Sequence, residues 1–153
     1  IGNLALRDKL PGIQVQSGQG GGANALIVRA RSAIGDQVGE AVQRLERFFL
    51  EQAGYSVEFA NDGISALARA QELRPKIVVT EILVPQLDGL SLCRALKADA
   101  QNKSILVLIL SHLHAEDRAI EAGADGFMVK PLDEDHLVDT VAKLLKLSEG
   151  AGG

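Results

Sequence analysis

Apolar residues along this chain fall into short continuous runs separated by stretches of helical spacing. Ala25-Leu26-Ile27-Val28 is the first run, and its lack of polar interruption predicts a strand buried on both faces. Val38, Ala41, Val42, Leu45, Phe48 and Phe49 then recur at helical spacing, and Ala53-Gly54 supplies the stop. Ser56 to Ala60 alternates, with Val57 and Phe59 on one side, which predicts a second strand. Asn61-Asp62-Gly63 is a turn and an N-cap for a helix through Ile64, Leu67 and Leu73, which Pro75 breaks.

Ile77-Val78-Val79 is a third, buried strand run, flanked by Lys76 and Thr80. Pro85-Gln86-Leu87-Asp88-Gly89 reads as a loop, and Leu90, Leu92, Cys93 and Leu96 open a helix after it. Ile105 to Leu110 is the most apolar run and predicts a central strand. Ala115 to Ala122 predicts a short helix ended by Gly123, and Phe127-Met128-Val129 a fifth strand cut off by Pro131. In the last helix Asp133 is the cap, and Glu134 and Asp135 sit at the positive end of the dipole. Leu137, Val138, Val141, Leu144 and Leu145 form its apolar stripe, with Lys143 and Lys146 toward the negative end. Five strands alternating with five helices predict an α/β fold, a doubly wound five-stranded parallel sheet covered on both faces. Sites in such sheets form outside the carboxyl ends of the strands, near the switch point in strand order.

The chain ends have a different composition. Residues 1–24 hold Pro11-Gly12 and the run Ser17 to Gly22, and read as a flexible linker or the end of a preceding element. Residues 25–147 form the patterned domain, and residues 148–153, small and Gly-rich, read as a flexible tail. Two soft ends around a patterned middle predict a module of a multidomain protein.

Composition narrows the function classes. A length of 153 residues suits one domain, and 46% hydrophobic with 24% charged residues excludes disorder throughout. The apolar runs are too short to span a bilayer. Sixteen Lys and Arg against twenty Asp and Glu leave a net charge of -4, so no direct contact with nucleic acid or an anionic membrane is expected. One cysteine, Cys93, cannot form an internal disulfide, which predicts a reducing, cytoplasmic setting.

Several motifs read as structure. Gly18 to Gly22 precedes the first strand and lacks a following Lys-Ser or Lys-Thr, so it is a linker and not a phosphate loop. His112 and His114 have no neighbouring Cys or His to complete a metal set. Ser111, His112 and Asp117 are triad residue types without the strained Gly-x-Ser-x-Gly turn. Cys93 belongs to an apolar stripe, and Asp88-Gly89 makes a turn and caps the helix from Leu90. No catalytic nucleophile paired with a base, no metal set and no cofactor motif emerges.

The carboxyl ends of the predicted strands are Arg29-Ala30 for the first, Glu81 for the third, Ser111 for the fourth and Lys130-Pro131 for the fifth. With Pro85 to Gly89, Glu121-Ala122-Gly123-Ala124-Asp125 and Val129-Lys130-Pro131 in this order and spacing, residues 25–147 resemble the receiver domain of bacterial response regulators. The resemblance implies a flavodoxin-like fold. It also implies an Asp nucleophile ending the third strand, and two acidic residues after the first strand that hold Mg²⁺. A Lys and a Ser or Thr would contact phosphoryl oxygens, and an aromatic on the fifth strand would act as a switch.

By that resemblance Lys130 matches the lysine, Ser111 the hydroxyl residue and Phe127 the aromatic switch, without the hydroxyl of Tyr. Glu81 stands where the acceptor Asp belongs, and Arg29 and Ala30 stand where the acidic pair belongs. A carboxylate one methylene too far out and a permanently charged guanidinium both oppose phosphorylation through Mg²⁺. The expectation is a pseudo-receiver, a non-enzymatic module that works without phosphorylation by contacting a protein partner, a fused effector domain or a second copy of itself. The alternative is a phosphorelay receiver with an unusual acceptor. Glu81 with Lys130 and Arg29 either fixes an activated-like arrangement or forms a structural ion pair. Two lengths also depart from the family. Residues 31–38 form extra chain after the first strand, and a shifted alignment puts Asp36 near the site. The stretch from Ser111 to Lys130 is about one helical turn short.

Overall fold

The structure, a computed structural model, describes residues 24–28, 37–112, 114–130 and 134–152, with side chains placed for all of these except 37–42, 134–135 and 147–152. Five strands lie in one sheet: β1 Asn24–Val28, β2 Ser56–Ala60, β3 Ile77–Glu81, β4 Leu106–Ser111 and β5 Gly126–Val129. Five helices are described: α1 Gln37–Gln52, α2 Gly63–Leu73, α3 Gly89–Ala98, α4 Glu116–Glu121 and α5 Glu134–Gly152. The strand order is β2-β1-β3-β4-β5 and every pairing is parallel. The order reverses between β1 and β3, so the carboxyl end of β3 lies at the switch point.

Period-two alternation divides the apolar runs between two cores. Leu26 and Val28, Val78, and Val107 and Ile109 join one cluster, with Ala66 and Ala70 of α2, Leu92, Cys93 and Leu96 of α3, and Ala119 of α4. Ala25 and Ile27, Ile77 and Val79, and Leu108 and Leu110 join the other, with Leu50 of α1 and Leu137, Val138 and Val141 of α5. Each central strand is therefore wet on neither face, which is why its run has no polar break. Tyr55 is the one aromatic among the buried core residues, and small aliphatic side chains fill the rest.

Helix starts follow the predicted chemistry where they are described. Asp62 accepts from Ser65 N at 2.7 Å and starts α2; Asp88 accepts from Ser91 N at 2.8 Å and starts α3. The hydrogen bond from the Ser65 amide, followed by that from its hydroxyl, holds the Asp62 carboxyl below its ordinary pKa.

Some boundaries differ from the pattern. Asn24, assigned to the linker, opens β1 because its register partner Ser56 pairs it into the sheet. Gln37 and Val38, assigned to the extra loop, are helical in α1. Residues 148–152, assigned to a flexible tail, continue α5: no proline stops the helix, and a glycine in it costs only about 1 kcal/mol. Other ends agree with the pattern: β3 closes at Glu81 and β4 at Ser111, where the sequence places their carboxyl ends. The helix cap assigned to Asp133, the loop at 31–36 with Asp36, and the linker at 1–23 lie outside the described residues.

Candidate functional site at the carboxyl edge of the sheet

Two strand ends meet at the switch point. Glu81 closes β3, and the pairing continues past it, with Ile82 N donating to Leu110 O at 3.3 Å. Lys130 follows β5, and its amide donates to Ser111 O at 2.8 Å. This extension of the β4–β5 ladder sets where the Lys130 side chain starts. Lys130 Nζ reaches Glu81 Oε2 at 2.9 Å, with the lysine and glutamate side chains only 13% and 20% exposed. A charge-assisted contact this dry is much stronger than an exposed ion pair.

The loop after β3 folds back onto the strand end. Gly89 N donates to Ile82 O at 2.9 Å, and Gly63 N donates to Pro85 O at 3.0 Å. A Cβ on Gly89 would lie 2.1 Å from the Glu81 carbonyl oxygen, and one on Gly63 would lie 1.7 Å from that of Leu87. Both positions therefore require glycine. Gln86 takes φ +70°, the left-handed conformation, at the loop tip. The fully buried Thr80 hydroxyl donates to Glu81 O at 2.9 Å. The backbone of Glu81 is thus fixed from three sides before its carboxylate makes any contact.

The structure brings Glu81 and Lys130 into direct contact and places Ser111 beside them as a buried residue, 5% exposed. Phe127 is half-buried and packs inward against the core that faces α2, α3 and α4. Arg29 and Ala30 lie outside the described residues. Thr80 and the two clamping glycines were not singled out from sequence as site residues. Asp88-Gly89 signalled a turn, but nothing local signalled a backbone pressed against Glu81. His112 and His114 are exposed at the same edge. Leu83, two residues beyond Glu81, is 74% exposed at the rim.

The donor set fits a divalent cation poorly. The Oε2 of Glu81 is already taken by an ammonium. Among the described residues no group of three or more His, Cys, Asp or Glu is arranged to hold a metal. Hard divalent cations need several oxygen ligands.

A sequence model of the response regulator receiver domain matches residues 38–142, more than half of the chain. The chain belongs to the response regulator receiver family. It is a receiver domain of two-component signalling, and receiver domains are signalling modules. The DNA-binding dual master transcriptional regulator RpaA of Synechocystis is 33% identical over 112 residues, 71% of this chain and 46% of RpaA. The response regulator MprA of Mycobacterium leprae is 38% identical over 107 residues, 69% of this chain and 47% of MprA. The chain thus spans just under half the length of these curated relatives. Among solved structures, the chemotaxis response regulator CheY4 of Vibrio cholerae matches with a TM-score of 0.69 at 28% identity, over 80% of this chain and 98% of CheY4. The receiver domain of the Francisella response regulator 1452 matches with a TM-score of 0.70 at 25% identity, over 82% of this chain and 98% of that domain.

One expectation is corrected by these relatives. Charge balance led to no expected nucleic-acid contact, yet RpaA is a DNA-binding regulator. A net charge counted over one receiver says nothing about the other half of such a protein. No helix among the described residues is long and apolar enough to cross a membrane.

Proposed function

We propose that this receiver is a pseudo-receiver: a cytoplasmic, non-enzymatic module that passes on its signal without accepting a phosphoryl group. The unit is wider than the matched 38–142 and runs from β1, which begins at Asn24 and pairs inside the sheet, into α5. One observation carries the reading. The position of the acceptor aspartate holds Glu81, and its carboxylate is held by the Lys130 ammonium at 2.9 Å.

Each site residue then has a role that needs no transferred group. The longer side chain of Glu81 projects a carboxylate outward, and Lys130, which in a working receiver would meet phosphoryl oxygens, meets that carboxylate instead. Arg29 and Ala30, in place of an acidic pair, leave nothing there to ligate Mg²⁺. Ser111 and Phe127, at the switch positions, are set by a permanent internal charge. The output surface is α4, β5 and α5, contacted by a protein partner, by a second copy or by an effector part of the same regulator. In a regulator of the RpaA kind that effector part would be the DNA-binding one.

Incubation with acetyl phosphate and Mg²⁺, followed by intact mass measurement, tests the reading. The expected result is an unmodified chain. A stoichiometric phosphoryl adduct would establish the alternative, a phosphorelay receiver with an unusual acceptor.

A further inference from the structure

Away from the Glu81 site, at the edge of the sheet, β2 is hydrogen-bonded to β1 on one side and, among the described residues, to no strand on the other. An edge strand of this kind offers peptide groups to an incoming chain unless something covers them. Here the neighbouring side chains come from α1. Gln43 and Arg47 stand one helical turn apart, with Arg44 beside them. Together with Phe59 of β2 they line an open hollow of about 240 Å³.

The hollow is prepared for an anion. The Arg47 guanidinium lies over the Phe59 ring, 5.0 Å from its centroid, and Nη1 donates to Val57 O at 3.4 Å. These contacts fix the plane of the fork while leaving further N–H donors unused. Its counter-charge is weak: Glu51 approaches Nη1 at 3.9 Å, and both side chains are nearly half exposed. Arg44 is exposed and has no ion pair among the described residues. Glu58 of the same strand is already paired with Arg69 at 3.2 Å. At the rim of the hollow Arg44 and Arg47 thus carry two positive charges against the loosely held Glu51.

We propose that the β2 edge and this hollow bind an extended acidic segment of a partner protein. The segment adds beside β2 as a sixth strand, and one of its carboxylates sits between Arg44 and Arg47, oriented by the Gln43 amide. Main-chain pairing supplies affinity in such a mode and the side-chain pocket supplies selectivity. Charge complementarity selects the occupant: a basic or neutral strand would leave Arg44 and Arg47 facing no partner.

The test titrates the ¹⁵N-labelled chain with the capped peptide Glu-Val-Glu-Val-Glu at low salt and follows amide shifts. Saturable shifts at Val57 and Phe59, with shifts of the Arg44 and Arg47 side-chain N–H signals, are expected. Lys-Val-Lys-Val-Lys should produce none of them. Arg44→Glu, at an exposed position, should keep the spectrum of a folded protein and weaken binding about fivefold. Arg44→Lys should recover part of that loss. Unchanged affinity in Arg44→Glu would overturn the proposal. So would shifts confined to other parts of the molecule. Inorganic phosphate reproducing the full pattern would overturn it too, since an adventitious anion would then account for everything.

Discussion

Lys130 and Glu81 are two opposite charges withdrawn from water to 13% and 20% exposure and held 2.9 Å apart. Removing one of them leaves the other desolvated without its partner, and that penalty exceeds the net worth of the pair. Glu81→Gln should therefore keep the fold and lower stability by about 2 kcal/mol, read from the urea midpoint. Adding Lys130→Met should return part of the loss, because no charge is then stranded. An unchanged midpoint in Glu81→Gln would show that the pair does not matter. Cys93 is also withdrawn from water. Burial pushes its thiol up to about 11 from 9.0, and Sγ donates to Ala122 O at 3.3 Å. The neutral thiol is thus favoured by folding, so this contribution to stability is intact below about pH 9 and is lost as pH rises toward about 11. At pH 8 a thiol reagent should modify Cys93 only as fast as the protein opens; rapid native labelling would contradict its burial. Lys130 was legible in the sequence because it directly follows an apolar strand run, and Glu81 because it stands two residues past one, where the receiver resemblance implies the acceptor. The Thr80 hydroxyl was not, because a polar residue after such a run looks like the start of a loop.

Among the elements, the turn from β3 into α3 shows the difference between local and distant signals. Asp88 is a cap that any reader of helix starts would mark, and its bond to Ser91 N at 2.8 Å is local. Gly89 is marked by the same dipeptide, but its necessity comes from elsewhere: a Cβ there would lie 2.1 Å from the Glu81 carbonyl oxygen. Asp88→Ala should cost about 1 kcal/mol through the lost cap. Gly89→Ala should cost more, about 3 kcal/mol, because α3 must back away from the strand end. It should also shift the amide resonances of Glu81 and Ile82, which Asp88→Ala should not. Equal costs for the two variants would mean that the loop yields, and that Glu81 is not clamped from behind. The ends of α5 and β1 teach the same lesson. Residues 148–152 look like a tail by composition, and Asn24 looks like linker, yet a helix with no breaker propagates and a strand pairs as far as its neighbour reaches.

In the whole molecule, the unbroken apolar runs of β1, β3 and β4, separated by helical stretches, were enough to give a parallel sheet covered on both faces, while β2, which alternates, lies at its edge. The strand order then places Glu81 at the switch point without further information. Net charge was less informative, because it sums over a surface and is silent about whatever shares the polypeptide with it. A ligand that binds only the folded state raises stability by mass action, by about 2.7 kcal/mol at a hundredfold excess over its dissociation constant. A working receiver has such a ligand in Mg²⁺ with beryllofluoride, a mimic of the transferred phosphoryl group. Here the carboxylate that would meet both is occupied by Lys130, and a bound phosphoryl mimic would have to displace a partly buried ion pair. Thermal unfolding should therefore give the same midpoint with Mg²⁺ and beryllofluoride as with EDTA. On the pseudo-receiver proposal Glu81→Asp should not change that outcome, because Arg29 and Ala30 still stand in sequence where the receiver resemblance implies the acidic pair. A rise of several degrees in the unaltered chain would show that the site still takes both ligands, and the pocket would then have to be read as a working one.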